Sequence, residues 1–323
     1  MRFGASSWPF QWEPPYEDCI RRIAGLGFKA IELIAWNVDF LENYWVKSKI
    51  ADIKKELKSS NIALSQFVHT PHDLSHPDKA KRKLAVEHWQ KAVDVGAELG
   101  SPIINMVSSH PFAMHDTVEI PRITTKPLVQ KYATKDVPRG VDWDENYKDY
   151  VAALRECAEA CGKAGVKMSV EPHPGRYLAN HDGALRLLEH VNHPAMGINF
   201  DPSHTFPIGD FPNITVYRLG KRIIHLHVSD NDGVTNVHWR PGRGKIDWTA
   251  IFAALKAVGY TGVITLELED APGASHWTHF REATPELDRE MRLGMRYLAE
   301  RAAEAGIAIA VGDQVDGPLR AIA

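Results

Sequence analysis

The stretch IRRIAGLGFKAIEL (20–33) joins an amphipathic helix, a glycine and a short apolar strand. The same order recurs in AVDVGAELGSPIINM (92–106), RECAEACGKAGVKMSVE (155–171) and FAALKAVGYTGVITLE (252–267). A glycine after a helix takes the left-handed conformation that ends it, and a short apolar run is typical of a strand buried on both faces. Helices that alternate with such strands predict parallel βαβ units.

Between these units the remaining sequence completes a set of eight candidate strands: 2–6, 29–34, 62–68, 102–107, 167–171, 196–200, 223–228 and 263–269. Candidate helices lie at 15–26, 46–59, 78–98, 144–164, 182–191, 213–219, 248–257 and 285–305. This alternation predicts a single-domain (β/α)8 TIM barrel over residues 1–305, followed by a C-terminal tail, 306–323. An open doubly wound sheet is disfavoured because no glycine-rich phosphate loop follows the first strand.

Composition restricts the class of protein. The chain has 323 residues, of which 44% are hydrophobic and 24% charged, with a formal net charge of −3. This balance gives no electrostatic reason to expect a nucleic-acid partner. The N-terminus lacks the basic flank and apolar run of a signal peptide, and no segment has the length of a membrane span. Three cysteines do not suggest a disulfide framework. We therefore expect a cytoplasmic protein that contacts neither nucleic acid nor membranes.

Two segments exceed what a barrel requires. Residues 108–143 form a long insertion after the fourth strand, either a lid or partner surface on the catalytic face or a plain surface excursion. The tail 306–323 is peripheral or available for an oligomer contact. We leave open both a homo-oligomer and a hetero-oligomer in which a second subunit completes the pocket.

Metal-ligating residue types occur at the ends of four successive predicted strands, in SVEPHP, INFDPSH, HLHVSDN and ITLELED. The candidates are Glu171, Asp201, His227 and Glu267. Because the carboxyl ends of barrel strands meet on one face, unpaired carboxylates gathered there would be costly. Three carboxylates and one imidazole suit one divalent ion, with Mn²⁺ expected first and Mg²⁺, Co²⁺ or Zn²⁺ as alternatives. Glu269 shares the strand parity of Glu267, which we favour as the first carboxylate after the apolar run.

The chain has sixteen histidines, and several of them follow predicted strands. His69, His72 and His110 follow earlier strands, and His173 and Arg176 follow the fifth. An imidazole that titrates near neutrality suits general acid–base chemistry or contact with a substrate. For each of them an ordinary hydrogen-bonded histidine remains the alternative.

A glycine-rich segment, PGRGKIDW (241–248), follows the seventh strand. Arg243 and its basic neighbours could bind a phosphate or carboxylate of the substrate there. The alternative is a tight turn in which Asp247 caps the next helix. Four tryptophans near strand ends could stack on a sugar face or simply pack, and Trp36 is the one we expect at the substrate; they are Trp8, Trp12, Trp36 and Trp239.

The sequence resembles the xylose isomerase-like superfamily of barrels, the sugar phosphate isomerase/epimerase group. The resemblance rests on SVEPHP, INFDPSH, HLHVSDN, PGRGKIDW and ITLELE and extends over about 2–305. It implies one divalent ion held by Glu171, Asp201, His227 and Glu267. It also implies that Glu171 and Glu267 take and return a proton next to a carbonyl, through an enediolate, and that His204 contacts substrate hydroxyls.

Two positions depart from the epimerases of this group. An arginine that often follows the strand-seven histidine by six residues is replaced by Gly233. A second glutamate six residues after the strand-five ligand is replaced by Tyr177. Residues His173 and Arg176 stand nearby and suit a different substrate.

Four functions follow as alternatives. The first is a metal-dependent sugar isomerase or epimerase, with Glu171, Glu267, His173 and His204 as catalytic candidates and His69, His110, Arg176, Trp36 and Arg243 as substrate-binding candidates. The second is a metal-dependent lyase on a keto-sugar or cyclitol, such as an inosose-type dehydratase or a keto-C-glycoside deglycosidase subunit. The third, a three-zinc DNA-repair endonuclease, needs an Asp-x-His pair where this chain has Asn236-x-His238. The fourth, an inactive binding module, has no need of two opposed carboxylates.

Overall fold

The computed structural model describes residues 1–113, 137–275 and 282–309. Eight parallel strands close into a barrel in which β1 pairs with β8, so the TIM barrel prediction is confirmed. The strands are β1 (Arg2–Ser6), β2 (Ala30–Ile34), β3 (Ala63–Val68), β4 (Ile103–Val107), β5 (Lys167–Glu171), β6 (Met196–Phe200), β7 (Ile223–Val228) and β8 (Val263–Leu266).

The α-helices surround the barrel. They are α1 (Glu17–Gly25), α2 (Val38–Asn43), α3 (Lys47–Ser59), α4 (Lys79–Leu99), α5 (Trp143–Lys163), α6 (His181–Val191), α7 (Pro202–Thr205), α8 (Pro212–Leu219), α9 (Trp248–Ala257) and α10 (Pro285–Glu304). Short 3₁₀ turns occupy His72–Ser75, Phe206–Ile208 and Gly220–Arg222. No helix in these described ranges is long and apolar enough to cross a membrane.

The four repeated helix–glycine–strand units adopt the conformation that the sequence predicts. Gly27, Gly100, Gly165 and Gly259 all have positive φ angles, between 72° and 96°. Only a residue without a Cβ adopts this conformation at little cost, so each glycine ends its helix and turns the chain back toward the sheet. Aspartate or asparagine side chains cap the following helices, as Asp78 and Asp142 do for α4 and α5.

Three differences from the predicted elements bear on the site. Strand β8 ends at Leu266 rather than at residue 269, so Glu267 is the first residue after the strand, and its backbone N–H still donates to the Val228 carbonyl oxygen of β7 at 3.2 Å. The short helices α2 and α7 were not predicted, because elements of 6 and 4 residues are too short to show a periodic pattern. Most of the predicted insertion, 114–136, and the tail from 310 lie outside the described residues.

Candidate metal centre and pocket

Four side chains converge at the carboxyl ends of β5 to β8. Glu171 ends β5, Asp201 follows β6, His227 lies near the end of β7 and Glu267 follows β8. Their potential ligand atoms all lie within 4.8 Å of one another, and all four side chains are buried. Barrel closure thus brings together the four residues expected as ligands, which are separated by up to 96 residues in the chain.

One ring nitrogen lies at the middle of this cluster. His227 Nδ1 is 2.9 Å from Glu171 Oε1 and 3.0 Å from Glu267 Oε2. Burial disfavours a charged imidazole, but the surrounding glutamates outweigh burial and raise the pKa of His227. Burial also raises the pKa values of Glu171 and Glu267 above the ordinary range of a carboxylic acid. The cluster therefore demands positive charge at its centre, which a divalent ion would provide.

Asp201 carries the clearest indication of a missing ligand. Its Oδ1 accepts a hydrogen bond of 2.7 Å from the backbone N–H of Ser203, which caps α7. Its Oδ2 is buried and has no hydrogen-bond partner. Burial favours the neutral acid, yet the histidines around it lower the pKa of Asp201 below its usual range. A buried, ionised oxygen that accepts no hydrogen bond, and that has only the imidazoles of His238 and His204 nearby at 3.5 Å and 3.8 Å, is better satisfied by a cation, so the donor set fits a divalent metal ion.

A fifth buried acid supports the ring from behind. Glu32 Oε2 lies 2.8 Å from His227 Nε2, and its Oε1 accepts a hydrogen bond of 2.7 Å from Ser6 Oγ. Gln66 Nε2 donates to the same carboxylate. Because Nε2 is held by Glu32, Nδ1 is the nitrogen that faces the cluster. Glu32 was not among the residues predicted for the site, although a lone acid inside the apolar strand KAIELI was a usable signal.

Replacing Glu32 with glutamine should weaken divalent-ion binding about 10-fold or more, because a carboxylate behind a ligating imidazole raises its basicity and fixes its orientation. Titration of the metal-free protein with Mn²⁺ by calorimetry measures the effect. Glu87→Gln, on an exposed face of α4, is the matched control and should bind as the unaltered chain does. Equal affinities for the two variants would contradict this role of Glu32.

A second group of histidines lies beside Asp201. His204 Nδ1 donates to Asn236 Oδ1 at 2.9 Å, while its Nε2 lies 3.8 Å from Asp201 Oδ2. The ring of His173 stacks 3.5 Å from that of His204, measured between centroids. The fully buried His238 has its Nε2 3.5 Å from Asp201 Oδ2. The structure therefore brings His173 and His204 to the cluster and adds His238, which the sequence analysis noted only as part of a failed nuclease motif.

Two residues of the cluster, Glu171 and Glu267, line a pocket that has one aromatic wall. Trp12 packs between Trp8 and Trp36, with ring centroids 4.4 Å and 4.6 Å away. His69, Arg176 and the other polar residues complete the lining, which includes Thr70, His72, His173, His204 and Glu269. Amphipathic tryptophan faces above a polar floor suit a ligand with one apolar face and several hydroxyls, as a sugar has.

Not all expected residues reach this pocket. Among the described residues, His110, Arg243 and Trp239 do not line it. The side chain of His110 is buried elsewhere in the loop after β4, where its carbonyl accepts from Ser75 Oγ. Arg243 lies near Glu290 of α10, with its Nη1 3.7 Å from Glu290 Oε2. Sequence position alone placed them near strand ends, but loop paths direct their side chains away.

His69 differs from the expectation of an imidazole poised near neutrality. Its Nδ1 lies 3.0 Å from the carbonyl oxygen of Ala35, and its buried Nε2 has no hydrogen-bond partner. Burial lowers the pKa of His69 to about 4. The ring is therefore neutral at pH 7, and Nε2 is an acceptor rather than an acid.

The low pKa of His69 predicts a loss of stability in acid. Between pH 6.5, the ordinary pKa of a histidine, and the folded-state pKa of about 4, the unfolded chain binds a proton that the folded chain does not. Its contribution is therefore complete above pH 6.5 and is lost as the pH falls toward 4, by about 3 kcal/mol. Urea unfolding at pH 7 and pH 4 should show a smaller loss for His69→Gln. An equal loss in both proteins would contradict the assignment.

The glycine-rich loop after β7 already holds an anion, and it is the protein's own. The backbone N–H groups of Gly242 and Ile246 donate to the carboxylate of Asp230 at 2.8 Å and 3.1 Å. Trp248 Nε1 adds a third bond at 3.3 Å, and Asp247 caps α9. The turn interpretation of PGRGKIDW therefore holds, and an internal carboxylate occupies donors that the alternative assigned to a substrate.

Gly244→Ala should destabilise the fold by about 1–3 kcal/mol or more, because an added Cβ would lie 2.2 Å from the backbone oxygen of Asn231. That oxygen already accepts a hydrogen bond of 2.8 Å from the backbone N–H of Lys245, which it would lose by moving away. Gly25→Ala, where a Cβ meets nothing within 4 Å, is the control and should change stability by less than about 1 kcal/mol. Chemical denaturation compares the two, and equal stabilities would disprove the close packing.

A closed barrel with acids and an imidazole gathered at the carboxyl ends of its strands defines a TIM barrel with a candidate metal centre. The chain belongs to the xylose isomerase-like TIM barrel family, which it matches over residues 20–301. The family resemblance seen in the sequence is thereby confirmed.

The relatives of this chain include epimerases and dehydratases. D-psicose 3-epimerase of Ruminiclostridium cellulolyticum is 25% identical over 264 residues, which is 80% of each chain. Inosose dehydratase of Clostridium tetani is 22% identical over 281 residues, covering 82% of this chain and 85% of that protein. The crystal structure of D-psicose 3-epimerase with D-tagatose from Clostridium cellulolyticum H10 superposes with a TM-score of 0.72 at 21% identity, over 94% and 99% of the two chains.

Proposed function

We propose that the protein is a divalent-metal-dependent isomerase or epimerase of a sugar or a sugar-derived small molecule. One observation carries the proposal: Glu171 and Glu267 both approach His227 Nδ1, at 2.9 Å and 3.0 Å, beside the unpaired oxygen of Asp201. Two buried carboxylates around a single ion position are suited to moving a proton at a substrate held between them.

The ion would be held by Glu171, Asp201, His227 and Glu267, and Mn²⁺ is the first candidate, with Mg²⁺, Co²⁺ and Zn²⁺ as alternatives. When bound, it supplies a Lewis acid that stabilises the negative charge of an enediolate. Three oxygen donors and one nitrogen donor are typical of a site for these ions, whereas a closed structural zinc site would favour cysteine thiolates.

The two glutamates divide the proton transfer. One carboxylate takes the proton from the carbon next to the carbonyl, and the other returns a proton from the opposite side, which inverts that carbon. Burial raises the pKa values of both glutamates toward neutrality, where a group can act as base and acid in one cycle. His204 Nε2 faces the same centre, where it accepts a hydrogen bond from a substrate hydroxyl, and His173 packs against its ring.

A second function, elimination by a lyase, is favoured by the two departures from the epimerase pattern. Gly233 has a φ of 75°, and an added Cβ would lie 2.8 Å from the ring of Phe206, so the local packing excludes an arginine there. Tyr177 is buried and donates to Asn146 Oδ1 at 2.6 Å, away from the cluster. Neither position can therefore supply the arginine or the second glutamate that epimerases of this group often carry there. The same proton abstraction followed by loss of a β-substituent is a dehydratase reaction.

Reaction of the Mn²⁺-loaded protein in D₂O separates these functions. Ketohexoses, their 3-keto glycosides and inososes are incubated and followed by NMR. Deuterium in recovered substrate or in its epimer supports the isomerase, whereas release of water or of an alcohol supports the lyase. If neither exchange nor elimination occurs with any of these substrates and any of the four ions, the proposed chemistry is wrong.

A further inference from the structure

The interior of the barrel beside the candidate metal centre contains a layer of polar side chains, although branched aliphatic residues usually fill this space in such barrels. All of them are buried: Glu32, Gln66, Asn105, Ser169, Asn199 and His225. They point inward, because contacts join strands that are not neighbours, as between Gln66 of β3 and Ser169 of β5. Burying polar groups costs stability unless each is paired, so this polar layer points to a role beyond packing.

Ser169 joins two amide side chains of this layer. Its hydroxyl donates to Asn105 Oδ1 at 2.7 Å and to Gln66 Oε1 at 3.2 Å. Asn105 is its register partner on β4, and Gln66 reaches it from β3. Within the described residues, these are the hydrogen bonds that the two amide oxygens accept. One hydroxyl proton is therefore shared between two carbonyl oxygens, and that of Asn105 is the nearer.

Each amide nitrogen faces an acid that flanks His227. Asn105 Nδ2 donates to Glu171 Oε2 at 3.4 Å, and Gln66 Nε2 donates to Glu32 Oε2. These two acids hold the two nitrogens of the His227 ring, at 2.9 Å for Glu171 and 2.8 Å for Glu32. The contacts thus form a closed loop that runs from the serine hydroxyl through both amides and both acids to the ring.

The orientation of the two amides decides whether this loop holds. An ionised carboxylate only accepts hydrogen bonds, so an amide that turned its oxygen toward Glu171 or Glu32 would place two acceptors together. The Ser169 hydroxyl favours the opposite orientation, because it satisfies the amide oxygens on the side away from the acids. Without this hydroxyl both amide oxygens are buried and unsatisfied, which weakens the hold of each amide on its acid.

We propose that Ser169 is a positioning residue of the metal centre and acts through the two amides rather than on the ion. Oriented by its hydroxyl, Asn105 fixes the candidate ligand Glu171. Gln66 fixes Glu32, which in turn holds the imidazole ligand. Ser169 itself is not one of the four residues of the cluster. This inference rests on the proposed function, because it takes the cluster to bind a divalent ion.

The test is the affinity of the metal-free full chain for Mn²⁺, measured by calorimetry. Ser169→Ala removes the hydroxyl and should weaken binding by about 10-fold or more, the usual effect of losing a contact behind a metal ligand. Ser65→Ala is the matched control, because Ser65 is likewise buried and its hydroxyl donates to the backbone oxygen of Ile31 at 2.9 Å. This control also loses a buried hydrogen bond, yet it should bind Mn²⁺ within about 2-fold of the unaltered chain.

Asn105→Ala tests the same contacts in a second variant and should also weaken Mn²⁺ binding by about 10-fold. Because Ser169 acts partly through Asn105, the two losses should overlap in the double variant and reach at most about 30-fold, whereas independent effects would multiply to about 100-fold. Separate structural damage at the two positions would not produce this overlap.

Equal Mn²⁺ affinities of Ser169→Ala and Ser65→Ala, or a double variant in which the losses multiply, would overturn the proposal. Deuterium exchange into the substrate by the unaltered chain is measured in parallel. Mn²⁺ binding that depends on Ser169 without any exchange contradicts the proposed reaction alone. Exchange together with equal affinities of the two serine variants contradicts the positioning role alone. If the unaltered chain binds none of the four candidate ions, both proposals are wrong.

Discussion

Glu267→Gln should lower the rate of solvent deuterium exchange into the substrate by about 10³-fold, and more if the ion is also lost. Glutamine keeps the size of the side chain, but it can neither take nor return a proton. The carboxylate lies 3.0 Å from His227 Nδ1, in the middle of the cluster, and burial raises its pKa. Mn²⁺ content is measured on the same samples, so that loss of the ion and loss of the proton acceptor are separated.

Glu269→Gln is the control for this variant because it makes the same chemical change two residues along the same segment. Glu269 is buried and lines the pocket, yet it is not one of the four residues whose potential ligand atoms form the cluster. We expect its maximal rate to stay within about 10-fold of the unaltered chain. If Glu267→Gln keeps more than about a tenth of the rate, or if Glu269→Gln is the more damaged variant, Glu267 is not the residue that moves the proton.

Adding Mn²⁺ to chelator-stripped protein should restore all activity and raise the melting temperature by roughly 4 °C. An ion present at 100 times its dissociation constant stabilises the folded state by about 2.7 kcal/mol. In a chain of 323 residues the entropy of unfolding makes each kcal/mol worth about 1.5 °C. The unpaired oxygen of Asp201 and the crowded glutamates gain most, because the ion neutralises charges that the folded chain otherwise holds together.

Asp201→Asn should abolish this thermal shift while leaving the metal-free fold intact. The amide oxygen of asparagine can still accept the hydrogen bond from Ser203 that caps α7, so only the ligand oxygen is removed. Asp142→Asn, the same change at the cap of α5, should keep the full shift because its side chain bonds Glu145, away from the cluster. If none of Mn²⁺, Mg²⁺, Co²⁺ or Zn²⁺ raises the melting temperature, the metal centre does not exist.

The strand ends are where sequence reasoning succeeded, and they show why it could. Apolar runs and helix-ending glycines are local signals, and a parallel barrel places every strand terminus on one face. Knowing only those termini is enough to bring Glu171, Asp201, His227 and Glu267 together, because topology alone sets their rough positions. The choice of Glu267 over Glu269 also agrees with the geometry of the cluster, since β8 ends one residue before Glu267.

The residues that contact the candidate ligands from outside the cluster were not predictable from strand ends. Glu32 meets His227 across 195 residues, and His238 meets Asp201 across the barrel mouth. Asp230 rather than a substrate takes the N–H groups of the glycine-rich loop. Each of these contacts depends on the direction of a side chain and on the path of a loop. The local sequence determines neither the direction nor the path.

The sequence by itself determined the barrel, its strand order and the residue types at its mouth, because periodicity and helix ends are set by neighbouring residues. The tertiary structure alone decided which residues support the candidate metal centre from behind, as Glu32 does, and which side chains turn away from it, as that of Arg243 does. The tertiary structure also sets the protonation of these residues. Burial lowers the pKa of His69 and raises that of Glu267, although both residues directly follow strands of the same sheet. The reason is that desolvation and charge proximity depend on distances through space, which the order of residues along a chain does not contain.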